Sequence, residues 1–140
     1  MLARGQEVDW IDIESTIKKL TQKINELPRN FSSISTISRG GLVPSRLLAD
    51  SLGIKKIFVD SKKISSDSLF VDDIYDSGNV FEKIISKVDD PSNLVYVVLF
   101  ARKGKKTPSQ LIYGKKTDGK KYVVFPWDKI EFQKSQKNSD

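Results

Sequence analysis

One stretch of the chain constrains its fold more than any other. The hydrophobic run Leu69-Phe70-Val71 leads directly into Asp72-Asp73-Ile74-Tyr75-Asp76-Ser77-Gly78-Asn79, and helical spacing of apolar residues starts near Val80. A strand without polar positions is typical of a parallel sheet that is buried on both faces. Neighbouring strand side chains point to opposite faces, so the two adjacent carboxylates cannot both be core. We therefore predict a buried strand that ends in a polar site, followed by a helix.

The remaining chain alternates strands and helices, which predicts an α/β domain with a mostly parallel central sheet flanked by helices. Helices are expected from Asp9 or Asp12 to Pro28, from Pro44 to Gly53 and from Val80 to Asp90, and strands at 33–37, 56–59, 68–71 and 94–101. Residues 111–113 and 122–125 flank a Thr-Asp-Gly turn and are expected to pair as a hairpin. Residues 1–140 read as one domain with a frayed tail at 133–140.

Composition removes several kinds of chemistry. The 140 residues include no cysteine and no histidine, so disulfides, thiolate chemistry and histidine-ligated metals are excluded, and any general base must be a carboxylate, lysine or tyrosine. No apolar run predicts a membrane span or a signal peptide, so we expect a cytoplasmic protein without a membrane partner. The net charge of +6 fits a lysine-rich surface or a phosphate-rich ligand. Few aromatic residues lie among the lysines, which argues against nucleic acid.

Two segments have the composition of anion-binding loops. At 76–80, Ser77 and Gly78 precede a helix, where backbone N–H groups and a close backbone approach favour a phosphate. The adjacent carboxylates Asp72 and Asp73 suit vicinal hydroxyls or hydrated Mg²⁺. The segment Ser38-Arg39-Gly40-Gly41-Leu42-Val43-Pro44 combines exposed amides with a fixed positive charge. The alternatives are a helix cap for the first segment and a plain connector for the second.

Together the two segments resemble the signature sequences of type I phosphoribosyltransferases. Residues 69–79 resemble the family's signature for 5-phosphoribosyl 1-diphosphate (PRPP), and residues 38–44 resemble its pyrophosphate loop. Phe100-Ala101, Pro126-Trp127-Asp128 and Trp10 are similar to the xanthine-guanine branch. The resemblance covers nearly the whole chain and implies the family's fold, with a small carboxyl-terminal hood over the sheet. It implies transfer of phosphoribose from PRPP to guanine, xanthine or hypoxanthine, which gives a nucleoside 5′-monophosphate and pyrophosphate in purine salvage.

The resemblance also implies roles for individual residues. Asp76 would be the catalytic general base or proton carrier at purine N7, and Mg²⁺ would be the cofactor. The family's partners would be PRPP, a purine base and the nucleotide product, in a homodimer or homotetramer. The implied PRPP and phosphate ligands are Arg39, Gly40, Asp72, Asp73, Asp76, Ser77, Gly78, Asn79 and Val80; the purine ligands are Arg102, Lys103, Tyr122 and Val123; and the metal ligands are Asp72, Asp73 and Asp128. For Tyr122 and Trp127, core packing is the competing interpretation.

The chain departs from the family pattern in three places. Arg102 followed by Lys103 stands where the 6-oxopurine enzymes have a lysine for the exocyclic oxygen, and Val80 stands where the phosphate loop has a hydroxyl residue. Only residues 61–67 remain where the family has a long loop that closes over the reacting centre. A short link cannot exclude water in the same way. Two alternatives therefore stay open: a PRPP- or nucleotide-binding regulator without catalysis, and a nucleic-acid-associated regulator that rests on charge alone.

Overall fold

The computed structural model describes residues 5–139, which form seven strands and four α-helices. In chain order these are β1 (Gly5–Glu7), α1 (Trp10–Asn25), β2 (Ser33–Thr36), α2 (Leu42–Leu52), β3 (Ile57–Val59), β4 (Ser68–Tyr75), α3 (Asn79–Ile85), β5 (Val95–Ala101), β6 (Leu111–Lys116), β7 (Tyr122–Val124) and α4 (Lys129–Ser139). Two 3₁₀ turns, Pro91–Asn93 and Pro126–Asp128, precede β5 and α4. No helix in this described range is long and apolar enough to cross a membrane.

Five strands form a parallel sheet in the order β3-β2-β4-β5-β6. The predicted α/β architecture with a mostly parallel sheet is therefore confirmed. The strand β4 lies at the centre, between β2 and β5, and Val71 is aligned with both Thr36 and Val97. Because all five strands run the same way, the segments that follow β2 and β4 meet at one edge of the sheet. Ligands of such sheets bind at that edge.

Both faces of the sheet are covered, which explains why the run Leu69-Phe70-Val71 in β4 is apolar without interruption. The face under α1 and α2 contains one apolar cluster, and the face under α3 contains a second. The alternating residues of β4 divide between them, because Leu69 and Val71 belong to the first cluster and Phe70 to the second. This double burial fixes the register of β4 and so determines which carboxylate beyond Val71 points to which side.

The helix boundaries have clear chemical causes. A capping box begins α1, in which the Asp9 side chain accepts from the Asp12 N–H at 2.8 Å and Asp12 accepts in return from the Asp9 N–H at 3.2 Å. Helix α2 ends at Gly53, whose positive φ of 74° suits a residue without a β-carbon. Both ends lie where the sequence predicts them.

The carboxyl-terminal third differs from the predictions in two respects. The expected hairpin between residues 111–113 and 122–125 is wrong, because β6 pairs in parallel with β5 while β7 pairs in parallel with β1. The cause is a competing partner, since the amino-terminal strand supplies an edge for β7 that the sequence pattern does not reveal. In addition, the helix α4 includes residues 133–139, for which the sequence predicts a frayed tail. Residue 140 lies outside the described range. The two-stranded sheet β1–β7 and α4 form a small hood beside the main sheet.

Candidate active site

The two adjacent carboxylates lie at the end of the central strand. Asp72 and Asp73 are residues of β4 rather than of the loop that the sequence predicts, because the β4–β5 ladder continues as far as Tyr75. The Asp72 side chain is buried at 5% exposure, and its Oδ1 accepts a hydrogen bond of 2.8 Å from the Asp73 N–H. Burial and the nearby Asp73 carboxylate raise the pKa of Asp72 to about 8. Burial also raises the pKa of Asp73.

This carboxylate pair has the character of an incomplete cation or hydroxyl site. Among the described residues, neither Asp72 nor Asp73 takes part in an ion pair. Within residues 5–139, no group of three acidic side chains is arranged to hold a metal, so Asp128 does not complete a protein-only ligand set. Mg²⁺ commonly binds through one or two carboxylates and takes its other ligands from water and substrate phosphates. The donor set present here fits that mode.

The segment after β2 lies directly against the carboxylate pair. A β-carbon placed on Gly40 would lie 2.6 Å from Asp73 Oδ2, and one on Gly41 would overlap Thr36 Oγ1 and lie 2.8 Å from the Val71 carbonyl oxygen. Only glycine permits this approach, because even a methyl group would collide with the neighbouring strand. The segment after β2 therefore lies against the strand that leads into the segment 76–80, as their positions after neighbouring strands predict. The Ser38–Arg39 peptide bond in this segment is cis.

Asp60, which the sequence analysis missed, holds the same segment from the other side. Its carboxylate accepts from the Ser38 N–H at 2.9 Å and from the Ser38 hydroxyl at 2.5 Å. These bonds lower the pKa of Asp60. An aspartate directly after β3 is the signal that could have identified it, because the carboxyl ends of β3 and β2 lie side by side.

The segment after β4 lines a cavity of about 140 Å³ whose walls include both carboxylates. Gly78 has a φ of 89° and is the residue before α3, so the N-cap position itself supplies no side-chain hydrogen bond. A capping role for Ser77 satisfies one N–H group of the helix and does not explain the two carboxylates that precede it. The Ser77 hydroxyl accepts from the Asn79 N–H at 3.3 Å, while Val80 is 40% exposed. The first N–H groups of a helix have no partner within it, so those after Gly78 can bind an anion.

Arg102 links this segment to the hood. Its Nε donates to Asp76 Oδ1 at 3.1 Å, and its Nη1 donates to the carbonyl oxygens of Gly119 and Lys121 at 3.3 and 2.7 Å. The Arg102 side chain is only 11% exposed, whereas Lys103 is exposed. The guanidinium therefore fixes both the Asp76 carboxylate and the segment that leads into β7. A lysine could not make this three-way contact, because it lacks the planar fork.

The two remaining predicted purine ligands lie at the start of β7. Tyr122 is 55% exposed, so the alternative of a core aromatic is wrong, while the neighbouring Val123 is buried at 5%. Trp127 stacks on Phe125 with a centroid distance of 4.9 Å, which agrees with a packing role. Asp128 lies in the 3₁₀ turn after them, and burial, Asp73 and Glu131 raise its pKa to about 6, against the opposing effect of Arg39.

The carboxyl-terminal helix contributes two contacts that the sequence analysis missed. Glu131 Oε2 lies 2.8 Å from Arg39 Nη2, and the Phe132 ring stacks on Tyr122 at a centroid distance of 5.5 Å with 14° between the planes. No motif marks these residues, which lie between Asp128 and the tail that the sequence predicts to be frayed at 133–140. The hydrophobic residues Ile130 and Phe132 beyond Asp128 are a signal that a structured segment continues.

Comparisons with solved structures identify the fold. The fold matches that of a purine phosphoribosyltransferase from Pyrococcus horikoshii, with a TM-score of 0.69 and 23% identity over 86% of this chain and 91% of that one. It also matches a xanthine-guanine-hypoxanthine phosphoribosyltransferase from Helicobacter pylori, with a TM-score of 0.74 and 16% identity over 94% of this chain and 99% of that one. The chain therefore has the phosphoribosyltransferase fold.

A relative found by sequence comparison indicates which phosphoribosyltransferases the chain resembles. A xanthine-guanine phosphoribosyltransferase from Chromohalobacter salexigens is 26% identical over 86% of this chain and 82% of the relative. No protein-family model matches the chain. The predicted resemblance to type I phosphoribosyltransferases, and among them to the xanthine-guanine enzymes, is confirmed by these relatives.

Proposed function

We propose that this protein is a purine phosphoribosyltransferase that transfers the 5-phosphoribosyl group of PRPP to a 6-oxopurine. The products are the nucleoside 5′-monophosphate and pyrophosphate. The observation that carries the proposal is the close approach of the backbone at Gly40 to the Asp73 carboxylate, next to the buried carboxylate of Asp72. We assign the carboxylates to the ribose hydroxyls and the glycine segment to the pyrophosphate, because a substrate with ribose hydroxyls and a 1-diphosphate requires both groups side by side.

Each part of PRPP has a matching group. The 5′-phosphate would bind the backbone N–H groups at residues 77–80 together with the Ser77 hydroxyl. The ribose 2′- and 3′-hydroxyls would donate to Asp72 and Asp73. The 1-diphosphate would lie along Arg39 and the exposed amide groups of the following glycines. The 6-oxopurine would stack on Tyr122, with Lys103 or a free N–H of Arg102 directed at its oxygen.

The reaction needs one bond to break, one to form and one proton to move. The bond between C1 and the pyrophosphate oxygen breaks, and its electron pair leaves with pyrophosphate. The lone pair of purine N9 forms the new bond to C1, and the N7 proton passes to the Asp76 carboxylate. Positive charge that develops on the ribose in the transition state is stabilised by the Asp72 and Asp73 carboxylates, which are fixed before substrate arrives.

Mg²⁺ is the proposed cofactor, because the carboxylate pair has no cation from the described chain. When bound, the ion neutralises charge on the pyrophosphate and on the carboxylates. Asp72 and Asp73 would hold it, and Asp128 would act on it at most through water. We further propose a single domain over residues 1–140 that works as a homodimer or homotetramer in the cytoplasm.

The proposal is tested by following absorbance while PRPP and Mg²⁺ are mixed with guanine, xanthine or hypoxanthine in separate reactions. We expect turnover with at least one of these bases and none with adenine, which lacks the 6-oxygen. Replacing Asp76 with asparagine should lower kcat by about 100-fold or more, since general base catalysis contributes about 10²- to 10⁴-fold. Asp50→Asn is the matched control, because Asp50 is exposed and pairs with Arg46.

The alternative function is nucleotide binding without catalysis, which the short link at residues 61–67 suggests. This link does not form a loop that could close over the site, because Ile64 is buried at 4% and its N–H donates to the Lys87 carbonyl oxygen at 2.9 Å. Calorimetry combined with the turnover assay distinguishes the two functions. If the folded protein bound guanylate and PRPP but turned over none of the bases, the function would be nucleotide binding without catalysis.

A further inference from the structure

Helix α4 contacts both halves of the candidate substrate site through consecutive residues. Glu131 pairs with Arg39 of the segment after β2, at 2.8 Å. The next residue, Phe132, stacks on Tyr122 of β7, and its ring also lies near the backbone of Gly5 in β1. The helix therefore joins the segment proposed for pyrophosphate to the aromatic residue proposed for the purine.

Each contact occupies a group that a ligand would need. The Glu131 carboxylate is an anion on the arginine that would otherwise face the pyrophosphate. The Phe132 ring lies nearly parallel to the Tyr122 ring, with 14° between the planes at 5.5 Å, which is the arrangement of a stacked aromatic pair. A purine cannot lie on the same face of Tyr122 while Phe132 is there. The Glu131 carboxylate thus takes the place proposed for pyrophosphate, and the Phe132 ring takes the place proposed for the purine.

Helix α4 has the properties of a segment that a ligand can displace from the site. The side chains of Arg39 and Glu131 are 78% and 60% exposed, so their ion pair is screened by water and contributes little stability. Along α4 most described side chains are exposed, including Ile130 at 69%. The link at 61–67, by contrast, is fixed, since Asp89 also accepts from the Ser66 N–H at 2.9 Å. The ion pair of Glu131 with Arg39 is therefore a contact that a ligand can displace at little cost.

We propose that Glu131 and Phe132 are residues of the substrate site that compete with the ligands, so that α4 blocks the free site until pyrophosphate or a purine nucleotide displaces it. This inference rests on the proposed function, because it assumes that Arg39 and Tyr122 bind those ligands. It assigns to the carboxyl-terminal helix the control of access that the short link cannot provide.

Hydrogen exchange shows whether ligand binding displaces helix α4 or holds it in place. Amide exchange is measured on the whole protein alone, with magnesium pyrophosphate and with guanylate. A displaced helix loses protection, so exchange at residues 129–139 should become faster with either ligand. A segment that closes over bound ligand would exchange more slowly, and unchanged exchange would mean that the helix does not move; either result overturns the proposal.

Two variants measure the competition by calorimetry. Glu131→Gln should bind magnesium pyrophosphate about two- to five-fold more tightly, which corresponds to the loss of an exposed ion pair. Phe132→Ala should bind guanylate about two- to ten-fold more tightly, since a stacked pair no longer has to be broken. Asp50→Asn and Ile130→Ala are the controls, because each removes an equivalent exposed group away from these contacts. Binding that is unchanged or weaker in both test variants overturns the proposal.

The same titrations measure how the affinity gain depends on salt. They also distinguish failure of the proposed function from failure of this inference. The gain for Glu131→Gln should shrink between 0.05 and about 0.5 M salt, because exposed charge pairs are screened. If the wild-type protein binds neither pyrophosphate nor guanylate, the proposed function fails and this inference fails with it. If the ligands bind but the variants and the exchange are unaffected, the function stands and only the role of α4 is wrong.

Discussion

Replacing Asp72 with asparagine should stabilise the free protein while it removes PRPP binding. Burial and Asp73 raise the pKa of Asp72 from its usual 3.8 to about 8 in the folded protein. The folded state therefore holds this proton more tightly than the unfolded chain does. Stability attributable to the group is complete below pH 3.8, falls as pH rises, and levels off above about 8.

The magnitude follows from the two pKa values. Each unit of difference corresponds to about 1.4 kcal/mol, so ionising Asp72 in the fold costs on the order of 5 kcal/mol at pH 8. Asparagine avoids this cost and its oxygen can still accept from the Asp73 N–H, but its buried NH₂ group loses about 1–3 kcal/mol if it is unpaired. We therefore expect Asp72→Asn to be about 2–4 kcal/mol more stable than the wild type at pH 8, and no more stable at pH 4.

Urea unfolding at pH 4, 5, 6, 7 and 8 without Mg²⁺ measures this difference, which should grow by about 1.4 kcal/mol per pH unit. The control is Asp50→Asn, which removes an exposed carboxylate paired with Arg46 and should change stability by less than about 1 kcal/mol. If Asp72→Asn were no more stable than the wild type at pH 8, or if the difference did not depend on pH, the prediction would be refuted. Burial and the Asp73 carboxylate would then not make ionisation of Asp72 unfavourable in the folded protein.

Three further substitutions test other parts of the site. Gly40→Ala should weaken pyrophosphate binding at least about 10-fold in calorimetry, because its methyl group would lie 2.6 Å from Asp73 Oδ2 and must push the segment away; unchanged affinity would contradict the observed approach. Val80→Thr should tighten binding of guanylate, since a hydrogen bond to a charged group contributes about 1.5–3 kcal/mol, and no gain would mean that the phosphate lies elsewhere. Arg102→Lys should lower kcat more than it changes KM for PRPP, because lysine cannot hold Asp76 and the hood together; an effect on KM alone would assign Arg102 to binding.

The parts of the fold that could be predicted are those set by local pattern. The apolar run before Asp72 identifies the central strand because burial on both faces favours an uninterrupted apolar run. Gly53 and Asp9 mark helix ends because their chemistry acts within a few residues. The proximity of the glycines at 40–41 to Asp73 follows from parallel topology, since segments after neighbouring strands meet at one edge.

The parts that could not be predicted depend on long-range partners. The turn before β7 suggests a hairpin, but Gly5–Glu7 provides a competing edge more than a hundred residues away. The contacts of Arg102 with Asp76 and with two carbonyl oxygens of the hood cannot be read from spacing. Helix α4 has a polar sequence, and its two contacts with Arg39 and Tyr122 arise only once the hood is in place.

The most direct test of the central claim is the stoichiometry of products from PRPP and guanine. The protein is incubated with PRPP, Mg²⁺ and guanine, and guanylate and pyrophosphate are quantified together by mass spectrometry. The proposed transfer predicts equal amounts of both products and their loss in a variant in which Asp72 and Asp73 are both replaced by asparagine. Folded wild-type protein that forms no guanylate, xanthylate or inosinate with the three 6-oxopurines, or that releases pyrophosphate without nucleotide, would contradict the account.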